Sequence, residues 1–378
     1  MLNTLRNRIS THLNHVFHDG DVEVTLYSTY GFQDNGDWII PFRGWVHQNR
    51  RLPDALINEL AQAKIQCQDL ELSRFSSRAD DFTDDSRSNQ TVTIQFDTDN
   101  EQHSFPKSDL NGLIEMALRL PVAKAQQLLG QQNATDNWLS VSVISEGHSG
   151  KGKVKLIEPE GVSLVSDIDD TIKVTEVPGD RDEVLKNTFC REFVSVPGMA
   201  DKYRALNNTS FHYVSGGPWQ LYQPLSDFLN EEGFPAGTFH LNYFPKNFLA
   251  DDTRMLMLDT IAGSLGRTYD HKVEQISRLM QRFPKREFIL VGDSGELDVE
   301  VYRRMRDLCG RRVRAIWIRD VVNDKAINEF RLDGVDEIIK AEKIVCPTQE
   351  HYEKLAVIIQ REHQRPYSKN NLPPCGSV

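Results

Sequence analysis

The chain has 378 residues, of which 39% are hydrophobic and 26% are charged, a composition typical of folded domains rather than of a disordered chain. This length exceeds what one ordinary hydrophobic core needs, so we expect two domains. The formal net charge of −11 and the lack of a long lysine and arginine run argue against nucleic-acid binding, which requires a basic surface.

Five cysteines are scattered along the sequence without a CxxC pair. This spacing predicts a reducing, cytoplasmic environment, with no disulfide framework and no zinc cluster. The N-terminus lacks the apolar run of a signal peptide, and no stretch reaches the roughly 20 apolar residues of a membrane span. We therefore expect a cytoplasmic protein without a transmembrane segment, and attachment to a membrane surface is the alternative.

The first part of the chain predicts helices and an exposed loop. Apolar residues recur every three or four positions from Leu2 to Phe17, which is the period of an amphipathic helix. Arg6 and Arg8 flank this apolar stripe, so it suits a membrane surface, but packing against the N-terminal domain is the favoured interpretation. A second helix is predicted over residues 53–64, and the polar, acidic stretch 76–90 predicts an exposed loop.

Most of the sequence up to residue 158 has the pattern of β-strands. The predicted strands are residues 22–26, 38–40, 44–46, 91–96, 138–145 and 153–157. The glycine-rich segment 147–153 superficially resembles a phosphate-binding loop, but it joins two strands and has the wrong glycine spacing, so it predicts a hairpin turn. Residues 1–158 are therefore expected to form a helix and a mostly β domain without identifiable chemistry.

From residue 159 onward, short apolar strands alternate with helices. The predicted strands are residues 162–166, 211–214, 238–241, 288–291, 313–318 and 337–339, separated by helices such as 219–232 and 270–282. This order predicts an α/β fold with a doubly wound, parallel, Rossmann-like sheet over residues 159–347. Residues 348–378 are expected to form a C-terminal helix and a disordered tail. Sheets of this kind bind ligands at the carboxyl ends of their strands.

Two of these strands end in clusters of acidic residues. Asp167 and Asp169 follow the strand 162–166, and Asp293 and Asp298 follow the strand 288–291. Carboxylates at buried strand ends repel each other and are costly to desolvate unless a cation lies between them. If the two clusters meet, they form an oxygen-rich pocket that suits Mg²⁺. For the first cluster alone, a solvated acidic turn is the alternative.

Two further elements have weaker signals. The strand 211–214 ends in Ser215, Gly216, Gly217 and Pro218, which suits a phosphate cradle at the start of a helix but is also ordinary turn chemistry. Lys272 is predicted near the start of a helix, where its charge opposes the helix dipole. A partner elsewhere in the fold is therefore plausible for this lysine.

The order of these motifs resembles the four-motif signature of the haloacid dehalogenase superfamily: Asp-x-Asp-x-Thr after a strand, a strand-end Ser, a Lys, and Gly-Asp-Ser-x-x-x-x-Asp after a strand. More narrowly, the chain is similar to the catalytic domain of the yeast actin-patch phosphatidate phosphatase family. The residues that carry this similarity are 166–173, 213–219, 271–272, 292–302 and 313–321. The resemblance covers about 159–345 and implies a sheet of the haloacid dehalogenase type.

The resemblance implies a magnesium-dependent phosphoric monoester hydrolase. Asp167 is the expected nucleophile, Asp169 the expected general acid and base, and Thr171 the residue that orients the Asp169 carboxyl. Magnesium is expected on Asp167, the backbone carbonyl of Asp169 and Asp293, with Asp298 orienting this set. Ser215, the Gly216 amide and Lys272 are expected to bind the phosphoryl oxygens. Residues 172–197 are expected to form a flap over the site.

Three functions remain open at this point. The first is hydrolysis of phosphatidate to diacylglycerol, with a phospholipid substrate at a membrane surface. The second is hydrolysis of a soluble phosphoester or a phosphoprotein. The third is a non-catalytic lipid-binding module, which is disfavoured because Asp167, Asp169, Lys272 and Asp293 are all present. The sequence gives no indication of the oligomeric state.

Overall fold

The computed structural model describes residues 22–48, 67–68, 71–83, 85–242, 265–324 and 329–364. The helices expected over residues 2–17 and 53–64, and the expected tail after residue 364, lie outside the described residues. The described chain divides into two compact units, with the junction between Glu158 and Pro159.

The first unit is built on a mixed, largely antiparallel β-sheet, which among the described residues has ten strands in one hydrogen-bonded set. The strands are β1 (Val22–Leu26), β2 (Thr29–Asp34), β3 (Asp37–Gln48), β4 (Asp85–Ser86), β5 (Thr93–Phe96), β6 (Gln102–Ser104), β7 (Leu113–Pro121), β8 (Trp138–Val143), β9 (His148–Ser149) and β10 (Lys151–Leu156). Within the described part of this unit, the helices α1 (Leu72–Thr83) and α2 (Val122–Gln131) accompany the strands. The mostly β character predicted for this region is confirmed.

Alternating burial along the strands explains the core of the first unit. In the first part of β3, every second side chain is buried, including Ile40 and Phe42. These side chains join Leu139, Val141 and others from neighbouring strands in one apolar cluster. Strands β8 and β10 pair in antiparallel register and are connected by residues 144–150, so the predicted hairpin is confirmed; the segment 147–153 also contains β9 and the start of β10.

One prediction for the first unit was wrong, and some of its elements were missed. Part of the loop expected over residues 76–90 is the helix α1, because packing of Phe75, which is 1% exposed, overrides the polar local composition. The strand β7 and the helix α2 were missed. Tertiary pairing of β7 along nearly the whole of β3 stabilises that strand, and such pairing leaves a weak local signal.

The cysteine prediction was also wrong. Cys67, Cys190 and Cys309 are disulfide-bonded, whereas Cys346 is a free, exposed thiol. Pairing depends on which cysteines the fold brings within bonding distance, and neither an odd count nor irregular spacing reveals this.

The second unit contains a six-stranded, entirely parallel sheet with the order β15-β14-β11-β16-β17-β18. A separate hairpin pairs β12 with β13. The strands are β11 (Glu160–Ser166), β12 (Lys173–Val174), β13 (Val194–Ser195), β14 (Thr209–Pro218), β15 (Gly237–Asn242), β16 (Lys285–Asp293), β17 (Val313–Asp320) and β18 (Glu337–Lys340). The mixed α/β class and all six predicted sheet strands are confirmed.

Among the described residues, helices lie between most of these strands, and one further helix follows the last strand. They are α3 (Arg181–Leu185), α4 (Met199–Arg204), α5 (Tyr222–Glu231), α6 (Leu265–Arg282), α7 (Asp298–Cys309) and α8 (Gln349–Gln364), with a π-helix at Lys186–Cys190 and short 3₁₀ helices at Trp219–Leu221, Gly310–Arg312 and Glu329–Leu332. Within the described residues, no helix is long and apolar enough to cross a membrane.

The strand order reverses between β11 and β16. The chain proceeds from β11 to β14 and β15 on one side, and from β16 to β17 and β18 on the other. These two neighbouring strands pair in parallel up to Ser166 and Val291, so both carboxyl ends reach the same edge of the sheet. An open α/β sheet leaves a crevice at such a reversal, and ligands bind there.

One detail differs from the expectation for the second unit. The helix α6 is already present at Leu265, so Lys272 lies well inside it and the argument from the helix dipole does not apply. The expected flap, residues 172–197, contains the β12–β13 hairpin, α3 and the π-helix. Its Val177 and Phe189 are buried, which favours a packing role for these two side chains.

Candidate active site

Asp167 is the first residue after β11, and the fold buries it almost completely. Its backbone N–H donates to the Val291 carbonyl oxygen at 2.9 Å, which ties it to β16. Its side chain, 1% exposed, has Lys272 Nζ at 2.7 Å from Oδ1 and accepts a hydrogen bond from Thr171 Oγ1 at 3.1 Å on Oδ2. This carboxylate is therefore fixed in orientation by contacts to both of its oxygens.

Residues 293–298, which we call the acidic turn, connect β16 to α7. Asp293 Oδ1 accepts the backbone N–H groups of Gly295 at 2.6 Å and Glu296 at 3.2 Å. Asp298 Oδ2 accepts the backbone N–H of Asp293 at 3.2 Å. A Cβ atom on Gly292 would lie 2.2 Å from Asp298 Oδ2, so the turn needs glycine at this position.

Lys272 is a buried cation among these carboxylates. Its Nζ lies 2.5 Å from Asp298 Oδ1, 2.7 Å from Asp167 Oδ1 and 3.7 Å from Glu296 Oε2. Burial alone would lower the pKa of Lys272, but the surrounding carboxylates raise it above its ordinary value. The lysine therefore stays charged and partly offsets the repulsion between the acids.

The arrangement fits a divalent cation. Carboxylate oxygens of Asp167, Asp293 and Asp298 all lie within 4.8 Å of one another. Asp293 Oδ2 is buried and has no hydrogen-bond partner, which is costly for an ionised carboxylate. Burial and neighbouring acids raise the pKa of Asp293, so the group lacks a compensating positive charge. A hard cation such as Mg²⁺, bound through oxygen ligands, would supply that charge.

Asp169 is held by a different set of groups. Its Oδ1 lies 2.8 Å from Lys173 Nζ and accepts a hydrogen bond from Thr175 Oγ1 at 2.6 Å. Ser215 Oγ donates to its Oδ2 at 3.3 Å. Burial would raise the pKa of Asp169, but the Lys173 ammonium and the hydrogen bonds lower it below its usual range. Its side chain is not part of the three-carboxylate cluster.

The role expected for Thr171 requires correction. Its hydroxyl donates to Asp167, not to Asp169. The backbone at Asp170 has a positive φ of 55°, and the carboxylate of that residue accepts the backbone N–H groups of residues 175–177. This turn directs Thr171 back towards Asp167 and presents Thr175 to Asp169, a reversal that the sequence spacing did not reveal.

Ser215 lies at the carboxyl end of β14 and is 1% exposed. Its hydroxyl oxygen accepts the Gly217 N–H at 2.9 Å and lies beside Asp169. At Gly216, a Cβ atom would lie 2.7 Å from Thr268 Oγ1 on α6, so glycine permits this close approach. The strand continues to Pro218, and the helix α5 starts only at Tyr222, later than expected.

The fold thus brings residues from four segments to one edge of the sheet: Asp167, Asp169 and Thr171 after β11, Ser215 from β14, Lys272 from α6, and Asp293 and Asp298 from the acidic turn. Sequence reasoning missed Lys173, Thr175 and Glu296. Lys173 and Thr175 closely follow the first acidic cluster, but only the turn at Asp170 shows that they fold back onto it. Glu296 lies inside the predicted motif, where its spacing gives no role.

These features define a class of α/β domain, one with a lysine-bridged carboxylate site at the reversal point of a parallel sheet. Residues 162–320 match the model of a family described as the catalytic domain of phosphatidate phosphatase APP1. This part of the chain is therefore similar to that family, as its motifs indicated.

Two curated fungal proteins are similar to the chain. Phosphatidate phosphatase APP1 of Saccharomyces cerevisiae is 35% identical over 168 residues, which are 43% of this chain and 26% of that protein. An uncharacterized protein of Schizosaccharomyces pombe is 28% identical over 177 residues, 46% of this chain and 27% of that protein. The match spans about a quarter of the length of these relatives.

A solved structure of a carbohydrate esterase, with an active site described as having catalytic and non-catalytic binding functions, aligns with 92% of this chain and 99% of its own. The sequence identity is 10% and the TM-score is 0.19. A TM-score this low does not indicate a shared fold.

Proposed function

We propose that the second unit is a magnesium-dependent phosphatase of the haloacid dehalogenase type that hydrolyses phosphatidate to diacylglycerol and phosphate. The observation that carries this proposal is the contact between Asp167 and Lys272 beside the Asp293 and Asp298 carboxylates. The similarity to a phosphatidate phosphatase catalytic domain supports the substrate class.

Asp167, Asp293 and the backbone carbonyl of Asp169 would hold the magnesium ion, with Asp298 orienting the set. The ion would neutralise carboxylates that otherwise repel a phosphate dianion. The buried, unpartnered Asp293 Oδ2 and the mutual proximity of the three carboxylates support this assignment.

In the first step, a carboxylate oxygen of Asp167 attacks phosphorus, and the bond from phosphorus to the substrate alkoxide breaks. The product of this step is an aspartyl-phosphate. Lys272 and Ser215 would bind the phosphoryl oxygens, and Asp169 would donate a proton to the departing alkoxide. Asp169 has a lowered pKa in the substrate-free protein, and an arriving phosphate dianion favours its protonation because like charges raise a carboxyl pKa.

In the second step, Asp169 takes a proton from a water molecule, which attacks phosphorus and releases Asp167 and inorganic phosphate. The ionised state of Asp169, stabilised by Lys173 and Thr175, is the state that this step requires. The same carboxyl group thus serves as acid and then as base.

Phosphate release measured over a panel of substrates tests the proposal. The panel contains phosphatidate and lysophosphatidate in mixed micelles, and soluble phosphomonoesters and a phosphopeptide at matched phosphate concentration. We expect release from phosphatidate that stops in excess EDTA and returns with added Mg²⁺. Equal or faster release from a soluble phosphoester would replace the substrate assignment and leave the chemistry intact.

Two further results would contradict the chemistry itself. Undiminished release in excess EDTA would remove the role of the metal. Vesicle binding without release from any substrate would favour the non-catalytic lipid-binding alternative.

A further inference from the structure

Arg331 is a buried arginine that lies beyond the matched catalytic segment, in the short helix Glu329–Leu332. It is 6% exposed. Its Nη1 donates to the Ser294 carbonyl oxygen at 2.5 Å, and its Nη2 donates to the Glu296 carbonyl oxygen at 2.6 Å. Both carbonyls belong to the acidic turn, so one guanidinium bridges the backbone of this turn.

Two acids balance the charge of this guanidinium. Glu300 on α7 pairs in bidentate geometry, with Oε1 at 2.9 Å from Nε and Oε2 at 3.0 Å from Nη2. Asp324 also accepts a hydrogen bond from Nη1. Burial would lower the pKa of Arg331, but these acids raise it, so the arginine remains charged. All three guanidinium nitrogens donate hydrogen bonds to the two acids or to the acidic turn.

The acidic turn requires external support because of its own chemistry. Its Asp293 and Asp298 carboxylates lie within 4.8 Å of Asp167, and their repulsion favours an opened turn. The Ser294 hydroxyl fixes one part of the turn, since it donates to Asp320 and accepts the Val321 N–H. Arg331 contacts the same turn through the carbonyl oxygens of Ser294 and Glu296, and these two hydrogen bonds oppose its opening.

We propose that Arg331 is a positioning residue for the magnesium site, and that it holds the acidic turn in the conformation in which Asp293 and Asp298 face Asp167. This inference rests on the proposed magnesium-dependent function. Arginine suits the role because its planar guanidinium can bind two carbonyls and a bidentate carboxylate at once. A lysine has a single compact ammonium group and cannot make these contacts together.

The test compares Mg²⁺ affinity in wild type and in Arg331→Lys. Affinity is measured by calorimetric titration with MgCl₂ and by the rise in melting temperature with MgCl₂, both without substrate. We expect Mg²⁺ to bind the variant about 10-fold more weakly, which is typical when a group that orients metal ligands is removed. The Mg²⁺ concentration for half-maximal phosphate release should rise in parallel, while kcat at saturating Mg²⁺ should be largely retained.

Arg286→Lys is the matched control. Arg286 is 3% exposed and also binds backbone carbonyls, those of Glu160 and Val162, but these lie at the amino ends of the strands. This control should lose stability as Arg331→Lys does, without a change in Mg²⁺ affinity. If Arg331→Lys does not fold, Mg²⁺ affinity is measured in Glu300→Gln instead. This variant retains Arg331 but removes the charge of the carboxylate that pairs with its guanidinium in bidentate geometry, so the hold of Arg331 on the acidic turn should weaken.

The outcomes separate this inference from the proposed function. Equal Mg²⁺ affinity in wild type and in the folded variants at Arg331 and Glu300 would overturn the positioning role alone. A similar loss of affinity in Arg286→Lys would also overturn it, since the effect would then follow general stability. If wild type does not bind Mg²⁺, the proposed function fails and the positioning role fails with it.

Discussion

The two units of this protein bury different chemistry. In the first unit, the core is an apolar cluster, and no aspartate or glutamate is buried among its described residues. In the described part of the second unit, the buried acids are Asp167, Asp170, Asp293, Glu296, Asp298, Glu300, Asp320 and Asp324. A fold stabilised by burial alone would avoid such groups, because each desolvated carboxylate is costly.

The difference shows which part of the fold buries carboxylates at a cost in stability. The buried acids of the second unit are concentrated in the segments after β11, β16 and β17, which are neighbouring strands of one sheet. Basic partners accompany them, Lys272 for the carboxylate cluster and Arg331 for the outer side of the acidic turn. Mutations in the first unit should therefore change stability mainly through the loss of apolar packing. Mutations in the second unit should act mainly through the balance of buried charges.

The largest effect is expected from Asp167→Asn. The amide has nearly the size of the carboxylate but cannot attack phosphorus, so turnover should fall on the order of 10⁴-fold or more. The fold should be retained, because the charge that is removed was itself costly to bury. Phosphate release and circular dichroism check the two parts. Near wild-type release would end the assignment of Asp167 as the nucleophile.

Leu139→Ala should show the reverse behaviour. Leu139 is fully buried in the apolar cluster of the first unit, and the cavity should cost about 4 kcal/mol of the free energy of unfolding. Turnover per folded molecule should not change, because none of the candidate site residues lies in this unit. Urea denaturation gives the stability. Leu110→Ala is the control, since Leu110 is 88% exposed and should have little effect.

Glu296→Gln tests the electrostatic character of the second unit through pH. Burial, with Asp298 adding to it and Lys272 opposing it, raises the pKa of Glu296 to about 7 from the ordinary value of 4.5. The folded state therefore binds more protons than the unfolded state between these values, and stability falls as pH rises through this window.

Over that range, metal-free wild type should lose about 3 kcal/mol relative to Glu296→Gln. Urea denaturation in EDTA at a series of pH values measures the difference. Parallel stability curves for the two proteins would show that this carboxyl has no raised pKa.

The smallest effects are expected from a pair of glycine substitutions. Gly292→Ala would place a methyl group against Asp298 and should cost about 2 kcal/mol, with reduced Mg²⁺ affinity. Gly130 lies in α2 of the first unit with no atom within 4 Å of an added Cβ, so Gly130→Ala should gain about 0.5 kcal/mol. Equal effects at the two positions would contradict the close packing at Gly292.

The parallel sheet was predictable because its strands are short apolar runs, and because helices recur between them. The meeting of Asp167 and Asp293 was also predictable, since parallel strands that end in acids must present them at one edge. In both cases the sequence signal lies within a short segment, and the parallel arrangement of the strands determines where that segment lies.

Other features could not be predicted, for identifiable physical reasons. The partner of Thr171 depends on a left-handed backbone at Asp170, an aspartate that gives no sign of this conformation in the sequence. Arg331 lies in no motif, and its contacts to the Ser294 and Glu296 carbonyls join residues that are far apart in the chain. The helix α1 was missed because burial of Phe75, not local composition, stabilises it.

The parallel pairing of β11 with β16 has a consequence for how the protein matures. The two strands are distant in sequence, and α6 with its lysine lies between them in the chain. Contacts of such long range form late in folding. A nascent chain that has made β11 and α6 but not β16 therefore carries Asp167 and Lys272 without the acidic turn. An ion shared by both segments would bind only chains that have completed this pairing, and would draw the folding equilibrium towards them.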